Sequence, residues 1–308
     1  MKLTIAQAQI RPKKRDYDYN LSLISDLFAQ MAPDLPDLLA LPETCLSGYF
    51  LEGGVIEAAR TADQVFSDLQ AEFLRRTSAH KPIYGERSRT MDIVIGFYER
   101  AGGNLYNSSL YATLGPNPGI AHIHRKFFLP TYGVFDEKRF VSRGRSFQSF
   151  DTRLCRSAML ICEDLWHSIS ATLLALEGAL IIYVGAASPA RGFRGEEIDN
   201  IARWRRLLIT AAEEHNLFIA FTSLVGFEGG RGLVGNSMLV GPNGEILNEA
   251  PSAKDYLLRT TIDPEDITVA RARSPMVADL QAVLGDLALE LNQLAEKAEK
   301  TQNEPKPS

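Results

Sequence analysis

The feature that most constrains the fold is an order of strands and helices that occurs twice along the chain. Apolar runs of strand length alternate with longer segments of helical periodicity, and each half then ends in a hairpin with Gly-Pro-Asn in its turn. Such an order predicts two similar sheets, each with helices on its outer face. The expected fold class is therefore α/β.

The individual elements follow from the spacing of apolar residues. In the first half, strands are predicted at 3–10, 37–41, 93–97, 109–113 and 120–124, with helices at 20–30 and 62–78. In the second half, strands are predicted at 158–161, 180–184 and 217–222, helices at 168–177 and 196–215, and a hairpin at 234–247. The glycine-rich stretch 227–235 has no nucleotide-binding lysine and is predicted to be a loop leading into that hairpin.

Charge and cysteine content narrow the classes of function. A net charge of −5 gives no excess of positive charge for a phosphate backbone or an anionic membrane, so neither nucleic-acid nor membrane binding is expected. The chain shows no signal peptide and no run of about 18 apolar residues. Three cysteines, Cys45, Cys155 and Cys162, are too few and odd in number for a disulfide framework, which predicts a cytoplasmic protein.

The last segment, residues 271–308, is predicted to be a helical extension with a disordered tail at 301–308. Its helix begins near Ser274-Pro275 and carries a seam of leucines spaced alternately by four and three, namely Leu280, Leu284, Leu287, Leu291 and Leu294. The seam could pack on a second subunit, which favours a homo-oligomer, or the helix could fold back on its own domain. The sequence leaves both possibilities open.

Cys162 is a candidate nucleophile because of where it lies. The apolar strand residues 158–161 give way to the charged stretch 162–167, so the thiol is predicted at the carboxyl end of a strand, where α/β folds place their sites. A helix starting just beyond it would direct N–H groups toward the sulfur. A thiol near pKa 8.5 is mostly protonated at neutral pH, so it needs a base or a positive neighbour.

Glu43 and Lys126 are the candidates for those two neighbours. Each is predicted at the end of a strand and next to apolar residues, where an unpaired charge would be costly. Glu43 could accept the thiol proton, and Lys126 could hold the charged groups in place and stabilise an oxyanion. The alternative for each is a salt bridge at a strand end.

Three motifs, LPE at 41–43, HRKFFLP at 124–130 and CEDLW at 162–166, resemble the Glu, Lys and Cys motifs of the nitrilase superfamily over residues 3–265. The resemblance implies a four-layer α-β-β-α sandwich of two mixed sheets, with a carbon-nitrogen hydrolase domain at 1–270. It also implies catalysis by Glu43, Lys126 and Cys162, with the Glu163 N–H as a second oxyanion donor.

Two further stretches, TYGVFDEKRF at 131–140 and AASPARGFR at 186–194, resemble the glutaminase domain of glutamine-dependent NAD synthetases. That resemblance implies substrate contacts from Tyr132, Glu137, Trp166, Ser188 and Arg194. Glu137 could pair with an α-ammonium and Arg194 with an α-carboxylate. Residues 136–139 could instead form a solvated turn.

The expected function is hydrolysis of a small linear amide, such as a glutamine-like ω-amide, through a cysteine thioester with release of ammonia. The alternatives are a nitrilase acting on a small nitrile, an amidase that scavenges damaged metabolites, and a non-catalytic or ammonia-supplying subunit of a separate synthetase. No cofactor is expected, and no metal, because only His122 and His124 are close in sequence and their spacing fits no common zinc signature.

Overall fold

The computed structural model of the protein describes residues 2–78, 89–194 and 197–303. The strands in these ranges are β1 (Leu3–Gln9), β2 (Leu38–Ala40), β3 (Met91–Ala101), β4 (Asn104–Leu114), β5 (Gly119–Arg125), β6 (Ser149–Asp151), β7 (Arg156–Ile161), β8 (Ile181–Ala186), β9 (Phe193–Arg194), β10 (Glu197–Ile198), β11 (Phe218–Ser223), β12 (Val225–Glu228), β13 (Arg231–Val234), β14 (Met238–Val240), β15 (Ile246–Glu249) and β16 (Tyr256–Ile262). The α-helices are α1 (Tyr17–Met31), α2 (Val55–Ala58), α3 (Ala62–Thr77), α4 (Glu163–Trp166), α5 (Ser168–Leu176), α6 (Asp199–His215), α7 (Glu265–Arg273), α8 (Met276–Ala282) and α9 (Leu284–Asn303). Short 3₁₀ turns occupy Glu52–Gly54 and Glu137–Arg139.

Most strands belong to two six-stranded sheets. The first has the order β16-β1-β2-β3-β4-β5, and the second has the order β15-β14-β11-β8-β7-β6. The central pairs β1–β2, β2–β3, β7–β8 and β8–β11 are parallel, whereas the pairs toward the edges are antiparallel. The sequence prediction of two mixed sheets in an α/β fold is therefore confirmed.

Three hydrophobic clusters define the layers between these elements. One packs α1 and α3 on the first sheet through residues such as Phe28 and Phe73, and another packs α5, α6 and α8 on the second sheet. The third lies between the sheets and joins Val94 of the first to Tyr183 and Phe218 of the second. The layers therefore run helix, sheet, sheet, helix, because each sheet buries both faces.

Helix α3 illustrates how the sequence sets an element. Thr61 and Gln64 form a reciprocal capping box at its start, which satisfies two N–H groups that have no partner within the helix. Val65, Leu69 and Phe73 then recur at a spacing of four and are fully buried on one face. The capping box and the buried apolar face together account for a helix at Ala62–Thr77, close to the 62–78 predicted from the sequence.

Two predictions about the second half were wrong. The stretch 227–235 is not a simple loop, because β12 and β13 form a short hairpin closed by Gly229 and Gly230, both with positive φ. The predicted tail is helical at its first three residues, because α9 continues to Asn303. Residues 304–308 of that tail lie outside the described residues.

The part of the leucine seam that lies on α9 does not fold back on the domain. Helix α8 packs against α5 and α6 through buried Val277. The helix is interrupted at Val283, and the leucines of α9 beyond it are exposed. The second possibility raised by the sequence is thus wrong for α9. In the part of the chain that the structure describes, no helix combines the length and apolarity needed to span a membrane.

Candidate active site

The turn that carries Glu43 is clamped between one strand of each sheet. It follows β2, and a methyl group at Gly96 of β3 would lie 2.5 Å from the Pro42 carbonyl oxygen. A methyl group at Gly185 of β8 would lie 3.0 Å from the Glu43 nitrogen. The first contact is closer than a Cβ atom tolerates and the second is tighter than most Cβ contacts, so glycine at these two positions lets the turn lie at the junction of the sheets.

The Glu43 carboxylate is buried and held by three donors. Its Oε1 accepts hydrogen bonds from Lys126 Nζ and Asn107 Nδ2, both at 2.8 Å. Its Oε2 accepts from the Ala187 N–H at 2.8 Å. A carboxylate oxygen can accept more than one hydrogen bond, so Oε2 keeps capacity for a further proton donor.

Lys126 lies between two carboxylates. Its Nζ donates to Glu43 at 2.8 Å and to Oε1 of Glu137 at 2.6 Å, and the three residues form the Glu43–Lys126–Glu137 cluster. Burial works against the ammonium, but Glu137 and Glu43 outweigh it and keep the pKa of Lys126 well above its usual value. The lysine therefore stays charged throughout the physiological range.

Glu137 is the third member of this cluster. Tyr49 also donates its hydroxyl to Oε1 of Glu137. Burial raises the pKa of Glu137 to about 7, helped by the charge of Glu43 and opposed by Lys126. The sequence predicted this residue as a partner for a substrate ammonium, whereas the structure engages Oε1 with Lys126 and Tyr49. Only Oε2, which has no partner among the described residues, is left for another contact.

Cys162 stands at the corner between β7 and α4 in an unusual backbone conformation. Its φ of 46° and ψ of −100° are sparsely populated for a residue with a side chain. The corner is fixed from the second sheet, since the Cys162 N–H donates to the Gly185 carbonyl at 2.9 Å. A strained backbone at the end of a strand is typical of functional sites.

The Cys162 thiol is electrostatically coupled to the Glu43–Lys126–Glu137 cluster. Burial raises its pKa well above the usual value and Glu43 raises it further, while Lys126 and the Ala187 N–H lower it. The same N–H donates to Oε2 of Glu43, so one backbone group acts on both the carboxylate and the thiol. The resting cysteine is thus a thiol, and the charge of the Glu43 carboxylate acts on it directly.

Asp164 ties the cysteine corner to the lysine segment. Its Oδ1 accepts from the N–H groups of Phe127 and Phe128 at 3.0 and 2.9 Å. Its Oδ2 accepts from the Ile161 N–H at 3.1 Å and contacts His124 Nε2 at 2.8 Å. Four partners satisfy this fully buried carboxylate, so Asp164 sets the distance between the two segments.

A half-open cleft of about 570 Å³ lies beside the cysteine corner. Tyr132 and Trp166, two of the predicted substrate contacts, line it together with Glu163. The Tyr132 hydroxyl donates to Oε2 of Glu163 at 2.7 Å, and the Arg203 guanidinium lies 4.0 Å from the Trp166 ring centroid. The cleft thus has aromatic walls and a polar rim.

Two other predicted contacts are placed differently. The Ser188 hydroxyl is buried and accepts from Asn200 Nδ2 at 2.6 Å and from Trp204 Nε1 at 2.8 Å, so only its proton remains for another group. Arg194 belongs to β9, where it pairs with Glu197, and its side chain lies outside the described residues.

Sequence reasoning missed three residues that shape the site. Asn107 and Tyr49 gave no signal, because they belong to no local motif and their partners are distant in sequence. Asp164 did carry a signal, because an acidic residue in the first turn after a strand is typical of a group that binds free N–H donors.

Comparison with known proteins identifies relatives that match most of this chain. The model of the carbon-nitrogen hydrolase family matches residues 3–272. An (R)-stereoselective amidase of a Pseudomonas species is 32% identical over 80% of this chain and 81% of its own. The carbon-nitrogen hydrolase of Helicobacter pylori G27 has a similar structure, with a TM-score of 0.78 at 21% identity over 91% of this chain and 95% of that one.

A longer relative is the glutamine-dependent NAD(+) synthetase of Thermotoga maritima, which is 24% identical over 86% of this chain. The match covers 43% of the synthetase, so the chain spans less than half of that protein's length. The family match covers both sheets and each residue of the cluster described above. The chain therefore belongs to the carbon-nitrogen hydrolase family of the nitrilase superfamily.

Proposed function

We propose that this enzyme hydrolyses the ω-amide of a small, glutamine-like linear substrate and releases ammonia through a thioester on Cys162. The observation that carries the proposal is the buried Glu43–Lys126–Glu137 cluster, coupled to a cysteine at a strained strand end. Acyl transfer from an amide needs a nucleophile, a proton acceptor and a positive group for the oxyanion.

The first step is attack on the amide carbon. Because the pKa of Cys162 is raised, the thiolate forms only as its proton moves to a base, and Glu43 is that base. Oε2 of Glu43 accepts a single hydrogen bond, from the Ala187 N–H, and therefore has room for the proton; the same N–H lowers the pKa of the thiol. The sulfur–carbon bond forms as the carbonyl becomes an oxyanion.

Charge on that oxygen is stabilised by two donors. Lys126 is fixed by its two carboxylates, so no reorganisation is needed when the oxyanion forms. The Glu163 N–H is at the first position of α4, where backbone donors have no acceptor within the helix. Collapse of the adduct breaks the carbon–nitrogen bond, and the proton held by Glu43 leaves with ammonia.

Water completes the cycle. Glu43 removes a proton from water, hydroxide adds to the thioester carbon, and the sulfur leaves to regain its proton from Glu43. One amide and one water thus become one carboxylic acid and one ammonia, with no net change in the enzyme. Glu137 is paired with Lys126 and keeps the ammonium group of that lysine in position during both thioester formation and thioester hydrolysis.

The substrate enters by the cleft beside the cysteine. In the proposal Tyr132 and Trp166, which line the cleft, cover the aliphatic part of the substrate. Ser188, which is not among the described residues that line the cleft, and Arg194 are proposed to bind the polar end of the substrate. An amide is favoured over a nitrile because an amidase is 32% identical to this chain and the synthetase relative is glutamine-dependent. The cysteines of the chain are free thiols, which fits the proposed cytoplasmic location.

A panel of linear substrates tests the assignment. We expect ammonia from glutamine and related ω-amides, and slower ammonia release from nitriles with the same carbon skeletons, because the buried lysine and N–H donors suit a carbonyl oxygen. The measurement is initial rate by an ammonia-coupled assay. Faster turnover of the nitriles would instead favour the nitrilase alternative. Absence of ammonia from every substrate would favour the non-catalytic subunit.

A further inference from the structure

Helix α9 presents an apolar face with no partner in the described chain. Its twenty residues lie beyond the part matched by the family model. The leucines of its seam are between 38% and 62% exposed, namely Leu284, Leu287, Leu291 and Leu294. A contiguous exposed face of this kind marks an interaction surface.

The apolar residues follow a heptad pattern. Leu284, Leu291 and Ala298 occupy one core position of the heptad, and Leu287 and Leu294 occupy the other. On one flank of this seam the first two positions are Ala288 and Ala295, whose small side chains would let two helices approach closely. The seam is therefore built to meet another helix.

We propose that α9 pairs antiparallel with α9 of a second copy of this chain. In the matching register Leu291 lies opposite Leu294 of the second copy, and Leu287 lies opposite its Ala298. The flanking residues Ala288 and Ala295 then face each other across the pair. The arrangement has a twofold axis, so each contact occurs twice.

Charge complementarity selects this register and orientation. The other flank of the seam carries Glu290 and Lys297. In an antiparallel pair this flank faces its own copy, which places Glu290 beside Lys297 of the second copy and the reverse. In a parallel pair the same charges would face the alanine flank and find no partner.

The charges on the polar face of α9 favour a protein rather than a membrane as the partner of its apolar face. From Asp286 to Lys300 the helix carries four acidic residues, Asp286, Glu290, Glu296 and Glu299, and two basic ones, Lys297 and Lys300. Helices that bind membrane surfaces are instead rich in lysine and arginine. A second copy, with the same seam and reciprocal charges, is the better match.

Seam variants of the full chain test the pairing. We expect Leu291→Lys/Leu294→Lys to halve the mass of the assembly measured by sedimentation velocity, because two lysines in the core of the pair repel their copies. The control is Leu289→Lys, which adds one lysine on the opposite, exposed side of α9 and should leave the mass unchanged. A single-chain mass for the unmodified protein, or equal masses for all variants, would overturn the proposal.

A charge exchange tests the orientation. Glu290→Lys places like charges together twice, and we expect the dissociation constant of the assembly to rise about tenfold. Adding Lys297→Glu restores both pairs with the signs exchanged and should return the constant toward its original value. If the double variant is as weak as the single one, the antiparallel register is wrong.

Discussion

The Cys162→Ala variant is expected to release no detectable ammonia from a glutamine-like ω-amide. Without sulfur no thioester forms, and loss of the nucleophile in a hydrolase lowers the rate roughly a million-fold. The fold should survive, because Cys162 is a half-buried corner residue whose N–H bond to Gly185 is retained by alanine. The measurement is initial rate, with the thermal midpoint as a check of folding.

The matched control is Cys155→Ala. Cys155 stands just before the other end of β7, where its Sγ lies 3.7 Å from the Ser157 hydroxyl and away from the Glu43–Lys126–Glu137 cluster. Its removal should leave the rate near that of the unmodified enzyme. If the two variants lose activity equally, Cys162 is not the nucleophile.

Replacing Lys126 with methionine should lower the rate roughly 100- to 1000-fold, the usual effect of losing one oxyanion donor. It should also destabilise the fold by about 3–5 kcal/mol, because two buried carboxylates lose their shared cation. Both the ammonia rate and the free energy of unfolding are to be measured, since instability alone could also reduce activity.

A double variant separates those two effects. In Lys126→Met/Glu137→Gln one of the stranded charges is removed, while Glu43 keeps its bonds to Asn107 and Ala187. We expect most of the lost stability to return and the rate to stay low. Recovery of activity together with stability would mean that Lys126 is only structural.

The site depends on the packing of the two sheets. Glu43 follows a strand of the first sheet, Cys162 ends a strand of the second, and Gly185 contacts both segments. Lys126 directly follows the edge strand β5 of the first sheet, and the next two residues bind Asp164 of the cysteine corner. The geometry of the cluster therefore follows from the inter-sheet core rather than from any single loop.

The fold class and two residues of the site could be predicted from the spacing of apolar residues and from charged residues at the ends of predicted strands. The alternating apolar pattern was enough for the α/β class and the two sheets, because each element buries one face against a neighbour. Glu43 and Lys126 could be predicted to converge since charged residues at strand ends are costly unless paired, and the structure brings them to 2.8 Å.

Contacts between segments that are distant in sequence could not be predicted from local sequence patterns. The engagement of Glu137 with Lys126 depends on how the 131–140 loop returns to the site, and nothing in its own residues fixes that path. The hairpin at 225–234 was missed because its glycines indicate a loop as readily as a tight turn. The break at Val283 likewise interrupts a leucine spacing that reads as continuous.

The most direct test of the account is to detect the thioester itself. During turnover of an ω-amide, acid quenching and peptide mass analysis should show the peptide containing Cys162 heavier by the mass of the substrate minus ammonia, and Cys162→Ala should show no adduct. Ammonia release at the full rate with no adduct on Cys162, or with the adduct on another residue, would contradict covalent catalysis by this cysteine.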